Sequence, residues 1–174
     1  MMRQLFWITL SALGGLALHL AYVLFMPGLE MASILDRFTS LKGRNTLVVL
    51  EPGEAGQLLA SLPEMQTAAC SYDLAAGPVT LDAVIPDSYW TVSVYSRAGE
   101  LLFTLDDRQA GLNRLRLVLH APGAVGPANP GAEEMRVQTT QAEGLVLLQA
   151  RAEDPAMAAG LKAALAASSC QRQP

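Results

Sequence analysis

The chain has little charge. Asp, Glu, Lys and Arg make up 16% of its 174 residues, against roughly 25% in a typical soluble domain, so part of the 51% that is apolar is expected never to face water. Histidine is scarcer still, limited to His19 and His120. His19 lies within an apolar run, and Cys70 and Cys170 are too far apart to form a close-spaced ligand pair, so the usual zinc sites are not expected. The G-x-S-x-G elbow, the Walker A loop and the G-x-G-x-x-G turn are all missing, which removes the common hydrolase, nucleotide and dinucleotide signatures. No metal and no cofactor are expected. A basic stripe is also lacking. Arg3 is the only one of 12 basic residues before Pro27, and all 16 acidic residues follow it, leaving the part beyond Pro27 at about −5. Phosphate neutralisation needs clustered cations, so nucleic acid is not an expected partner.

What is abundant is apolar sequence, and it begins at once. From Leu5 to Met26 the chain reads LFWITLSALGGLALHLAYVLFM without one formal charge. At 1.5 Å per residue such a helix covers the roughly 30 Å hydrocarbon core of a bilayer, and Pro27 and Gly28 are expected to stop it. A secretory signal peptide is the alternative, but the run exceeds the usual apolar core and lacks a small-x-small cleavage site. The expectation is an uncleaved signal anchor over residues 1–28. Arg3 precedes the run and Glu30 and Asp36 follow it, which by the positive-inside rule leaves the N-terminus in the cytoplasm and exports the rest. Ser11, Gly15 and His19 share one face at i, i+4 and i+8, a small and polar stripe through which anchor helices could pair; a lone neutral histidine is the plainer reading.

Residues 29–45 read as a juxtamembrane segment. Ile34, Leu35, Phe38 and Leu41 fall at helical spacing and Gly43 marks a stop; the helix either lies on the membrane or packs under the domain. Residues 46–174 form a single expected domain. Short β-like runs separated by Gly, Pro, Asn and Asp follow, TLVVL, MQTAACSYDL, PVTLDAVI, YWTVSVY, ELLFTL, LNRLRLVLH, MRVQTT and LVLLQARA, the rhythm of an antiparallel β domain. A helical turn is expected in EPGEAGQLLASLPE and a loop at 121–132. Asp154 before Pro155 caps a C-terminal helix rich in alanine. The fold class is therefore mainly β, a sandwich-like or curved antiparallel sheet with an N-terminal transmembrane helix and a C-terminal helix. An α+β open sheet covered by helices is the alternative.

Alternation assigns the faces. Val79, Leu81, Ala83 and Ile85, then Trp90, Val92 and Val94, then Leu101, Phe103 and Leu105, then Leu115, Leu117 and Leu119 are the expected core. Opposite them lies a polar face on which Tyr89, Tyr95, Arg114 and Arg116 are the expected binding residues. In an oxidising compartment Cys70 and Cys170 have two readings, a disulfide or a small buried Cys70 with Cys170 in a frayed tail. The segment RAGE places Gly99 where a hairpin needs positive φ. LDDR then reads as an exit turn, in which Asp106 and Asp107 accept backbone hydrogen bonds. If the domain were an enzyme, Asp73, Asp106 and Arg108, with Tyr72 and Tyr95, would be its best constellation, because paired carboxylates can separate their pKa values into an acid and a base.

At CSYDLAAGPVTLDAVIPDSYWTVSVYSRAGELLFTLDDR the chain resembles a proteobacterial family known as domain of unknown function 1254, in its short membrane-anchored form. The likeness rests on Cys70, Tyr72, Asp73, Gly77, Pro78, Pro86, Tyr89, Trp90, Tyr95, Gly99, Asp107 and Arg108. The resemblance implies an inner-membrane protein with a periplasmic, mainly β domain, and it carries no catalytic residues. The leading expectation is a non-catalytic envelope binding module, partnered by the membrane, an envelope protein or a second copy of itself. A periplasmic enzyme acting on a small or glycan substrate, and a binder of an apolar ligand such as a lipid, are the alternatives.

Overall fold

The computed structural model describes residues 2–108, 113–124 and 134–173. Its elements run α1 Met2–Lys42, β1 Val48–Leu50, α2 Pro52–Leu59, β2 Met65–Asp73, β3 Val79–Val84, β4 Trp90–Ser96, β5 Leu101–Asp106, β6 Arg114–His120, β7 Glu134–Gln138, β8 Glu143–Arg151, α3 Pro155–Ala166 and β9 Ser169–Arg172. The strands form two sheets. One has five strands in the order β1-β2-β8-β4-β5 and the other four in the order β7-β6-β3-β9. Pairing is antiparallel except between β6 and β7.

Alternation drives the two sheets together. Each strand turns its even or odd apolar set inward, so Ala68, Cys70, Tyr72, Trp90, Val92, Val94, Val146 and Leu148 meet Val79, Leu81, Ala83, Leu115, Leu117 and Leu119 in one core. Leu161 and Leu165 of α3 join it, with α3 packed against β1, β2 and β3. As the sequence indicates, α3 starts at Asp154, whose Oδ1 accepts the Met157 N–H at 2.9 Å, with Pro155 at the first helical position. Cys70 and Cys170 are joined in a disulfide that ties β2 of one sheet to β9 of the other. The polar tail is thus a strand, SCQR, held by its backbone to β3. Four residues with no apolar period give no strand signal.

Further expectations are corrected. Pro27 and Gly28 do not stop the first helix, which runs unbroken to Lys42 and ends at Gly43, φ +86°, whose N–H reaches the Thr39 carbonyl. Proline removes one intrahelical bond at a cost of about 3 kcal/mol. That cost is offset because Leu35 and Phe38, both buried, anchor the turns beyond it, each contributing about 1.5–3 kcal/mol. The expected second helix is therefore the end of the first, with Leu35 and Phe38 inside and Leu41 exposed. Leu101 is another correction, 53% exposed rather than core. Val94 faces Phe103 but Tyr95 faces Leu101, a bulge that skips Leu102 and turns Leu101 to the outer face. The expected turn in 51–64 is also longer, two turns of α2 closed at Ala60 with φ 51°. Of the loop at 121–132, only 121–124 lie within the described residues.

α1 carries the apolar run with no part of it buried and is long and apolar enough to cross a membrane. Its last turns, with α2, cover the outer face of the five-stranded sheet. Leu35, Phe38 and Ala55 close over Leu50, Ala69 and Leu145 in a second core. This explains why β8 reads GLVLLQA rather than alternating: it is central and covered on both faces.

Candidate functional site

On the four-stranded sheet, polar positions point outward because apolar ones point in. The register sets Asp82 beside Arg116 and Ser169, Val84 beside Arg114, and Arg116 beside Glu134. The Asp82 carboxylate accepts from Arg116 Nε at 3.1 Å and Nη2 at 2.9 Å, and Arg114 Nε approaches it at 3.3 Å. Two guanidinium groups thus share one carboxylate, leaving that cluster net positive. Next to it a cavity of about 260 Å³ is lined by Thr80, Asp82, Arg116, Ser169, Gln171 and Arg172. Thr80 Oγ1 is buried there without a hydrogen-bond partner among the described residues, and an unsatisfied buried hydroxyl costs about 1–3 kcal/mol. The lining offers many donors and a shared acceptor, a set suited to oxyanion or hydroxyl groups.

Not all the expected binding residues share this face. Tyr89 and Tyr95 belong to β4 and its entry, in the five-stranded sheet, whereas Arg114 and Arg116 belong to β6 in the other. In a sandwich the polar faces of the two sheets point in opposite directions, so the four residues form two groups. His120, the last residue of β6, is 8% exposed, and its Nε2 has no partner among the described residues.

The carboxylate constellation also comes apart. Asp73 ends β2 in the row of Glu143 and Arg97, while Asp106 ends β5 opposite Thr91. Six residues of β4 separate those rows, about 20 Å at the rise of a strand, beyond the roughly 5–10 Å over which two carboxyls cooperate on one bond. Asp106 Oδ1 accepts the Arg108 N–H at 3.1 Å, the expected exit turn. Tyr72 lies in the core, where burial pushes its phenol above its ordinary pKa. Its hydroxyl donates to the Tyr95 carbonyl at 3.1 Å. Among the described residues no three His, Cys, Asp or Glu side chains gather as metal ligands. Ser11, Gly15 and His19 lie on the exposed part of α1.

Asp73 instead serves a junction that the sequence does not announce. Arg44 Nη1 donates to Asp73 Oδ2 at 2.6 Å and to Glu143 Oε1 at 2.8 Å. Arg97 Nη1 takes the other Glu143 oxygen at 3.0 Å, and its Nη2 meets Asp36 Oδ1 at 2.8 Å. The Ala75 N–H, then the Arg44 guanidinium, hold the Asp73 carboxyl below the usual carboxylate range, and the carboxylates in turn raise Arg44. Asn45 adds a reciprocal pair, accepting the Asp73 N–H at 2.8 Å and donating to its carbonyl at 3.1 Å. Together these bonds fasten the end of α1 to the five-stranded sheet. Partners 29 and 99 residues apart leave no local signal in the sequence.

The model of the family described as Protein of unknown function (DUF1254) matches residues 45–171. The chain belongs to the DUF1254 family. The match takes in β1 to β9 with α2 and α3 and leaves out α1. No curated protein matches the chain. The DUF1254 chain superposes on a crystallised Vibrio parahaemolyticus protein with a TM-score of 0.65 at 13% identity, over 88% of its own length. An uncharacterized Burkholderia cenocepacia protein matches over 80% with a TM-score of 0.53 at 14% identity. At these identities the likeness shows the fold. The match covers 38% of either solved chain.

Proposed function

We propose that this DUF1254 chain is a single-pass membrane protein whose β-sandwich is a non-catalytic binding module of the cell envelope, working through the outer face of its four-stranded sheet. The observation that carries the proposal is the cleft lined by Thr80, Asp82, Arg116, Ser169, Gln171 and Arg172, beside which Arg114 and Arg116 share the Asp82 carboxylate. An envelope component bearing oxyanion or hydroxyl groups suits that lining. The Arg3 side of the apolar run lies in the cytoplasm and the sandwich in the periplasm, by the charge asymmetry across the run. The Cys70–Cys170 bridge supports an oxidising compartment.

The test is site-specific photocrosslinking of the full chain in its own membranes, with the crosslinker at Gln171 beside the cleft or at Thr104 on the other sheet. A product at Gln171 that is absent at Thr104 and is lost with Arg116→Ala supports the reading. The same products from both positions would overturn it. Protease accessibility of the sandwich in spheroplasts decides the orientation separately. The enzyme reading loses its acid–base pair with the separation of Asp73 and Asp106. The space between the sheets is filled by side chains such as Trp90, Leu117 and Leu148, so nothing there favours an apolar ligand between the layers.

A further inference from the structure

We infer that the β4–β5 turn and Leu101 sit in the headgroup layer of the bilayer, so that the lipid surface is itself a docking partner of the sandwich; this rests on the reading that α1 spans the membrane. Helix α1 passes from the apolar run into the domain without a break, so position along its axis is also height above the hydrocarbon core. The core ends near Met26. Each headgroup layer is roughly 5–7 Å deep, and Pro27 to Met31 rises about 6 Å in a helix. Those residues therefore occupy the headgroup layer.

The β4–β5 turn lies against that stretch. A Cβ on Gly28 would come within 3.4 Å of the Ala98 carbonyl oxygen, and one on Gly99 within 3.3 Å of the Pro27 oxygen and 3.5 Å of Met31 Cβ. Such close backbone approach fixes the turn at the height of Pro27–Met31. Arg97 secures it by pairing with both Asp36 of α1 and Glu143 of β8. The surface has the polarity of an interface. Phe25, Leu29 and Leu101 are 70%, 66% and 53% exposed, and a groove of about 490 Å³ runs between Phe25, Gly28 and Leu29 on its apolar side and Arg97, Ala98 and Gln141 on its polar side. The apolar side continues the face that α1 presents to acyl chains. The bulge at Leu102, which turns Leu101 outward beside the turn, extends that apolar rim onto the sandwich.

The experiment reconstitutes the full chain, its native cysteines oxidised, in vesicles of phosphatidylethanolamine and phosphatidylglycerol. Nitroxide labels are placed singly at Leu13→Cys, Leu101→Cys and Leu62→Cys, and collisions with oxygen and with a water-soluble nickel chelate are measured. Leu62, 60% exposed, precedes β2 at the end of the sandwich away from the turn and is the aqueous reference. The expected result is exclusion of nickel from the label at 13, and nickel accessibility at 101 several-fold below that at 62. Arg97→Ala should raise accessibility at 101 toward the aqueous value. Equal accessibility at 101 and 62, with the label at 13 protected, would overturn the docking while leaving the span intact. A label at 13 as accessible as that at 62 would overturn the span and the docking with it.

Discussion

The five-stranded sheet is covered on both faces, by the inner core and by α1 with α2, whereas the four-stranded sheet has the inner core on one face and, on the other, an exposed arginine-bearing surface at Arg114 and Arg116 that gives way to the buried Val118 and His120. The sequence shows the difference strand by strand. β8 is apolar without alternation from Leu145 to Leu148, while β6 alternates Arg114 and Arg116 with Leu115 and Leu117. The outer face of the five-stranded sheet is taken up by contacts with α1 and α2, and the exposed arginines lie on the opposite side of the sandwich. Under the proposed function, the first face holds the domain to α1 and the second meets the partner.

The sharpest way to break it is Phe38→Ala. Phe38 is wholly buried between α1 and the five-stranded sheet, and its truncation should cost about 3–5 kcal/mol, read as a lower urea midpoint of the full chain in detergent. Should the loss be under about 1 kcal/mol, the helix would merely lie beside the sheet. Next comes the staple between the sheets. Cys70→Ser with Cys170→Ser should cost about 2–5 kcal/mol, and dithiothreitol should reproduce most of that loss in the parent protein.

The junction should show a smaller effect with a pH signature. The Asp73 carboxyl is held below its ordinary value in the folded state, so its contribution is complete above about pH 4 and is lost as pH falls through the depressed folded value. Asp73→Asn should cost about 1 kcal/mol at pH 7 and flatten the acid side of the stability profile below about pH 4. An unchanged acid limb would remove Asp73 from the junction. On the open face, Arg116→Ala should change stability by no more than about 0.5 kcal/mol while abolishing crosslinking at Gln171. A large stability loss there would make the face structural and erase the contrast.

How far these features could be read in advance depended on the range of the interaction. Local patterns sufficed for the alternating strands β3, β4 and β6, for the RAGE hairpin with Gly99 at φ +82°, and for the Asp154 cap. They failed at Leu101, because one skipped residue reverses the faces without changing composition, and at β9, whose backbone pairing needs no apolar signature. They failed also for the candidate site. Tyr95 and Arg116 look alike as outward polar positions, and only the assignment of β4 and β6 to different sheets separates them. The Arg44–Glu143 pair was invisible because its partners lie 99 residues apart.

The place of β8 governs the order in which the domain can form. It lies between β2 and β4 and bonds to both along most of its length, yet it follows β4 by nearly fifty residues. Until it inserts, β2 and β4 each present an open edge able to pair with another chain. Closure of so non-local a sheet belongs to the slow class of folding, milliseconds to seconds. Throughout that interval the two unpaired edges of the half-sheet are the exposed part of the folding chain.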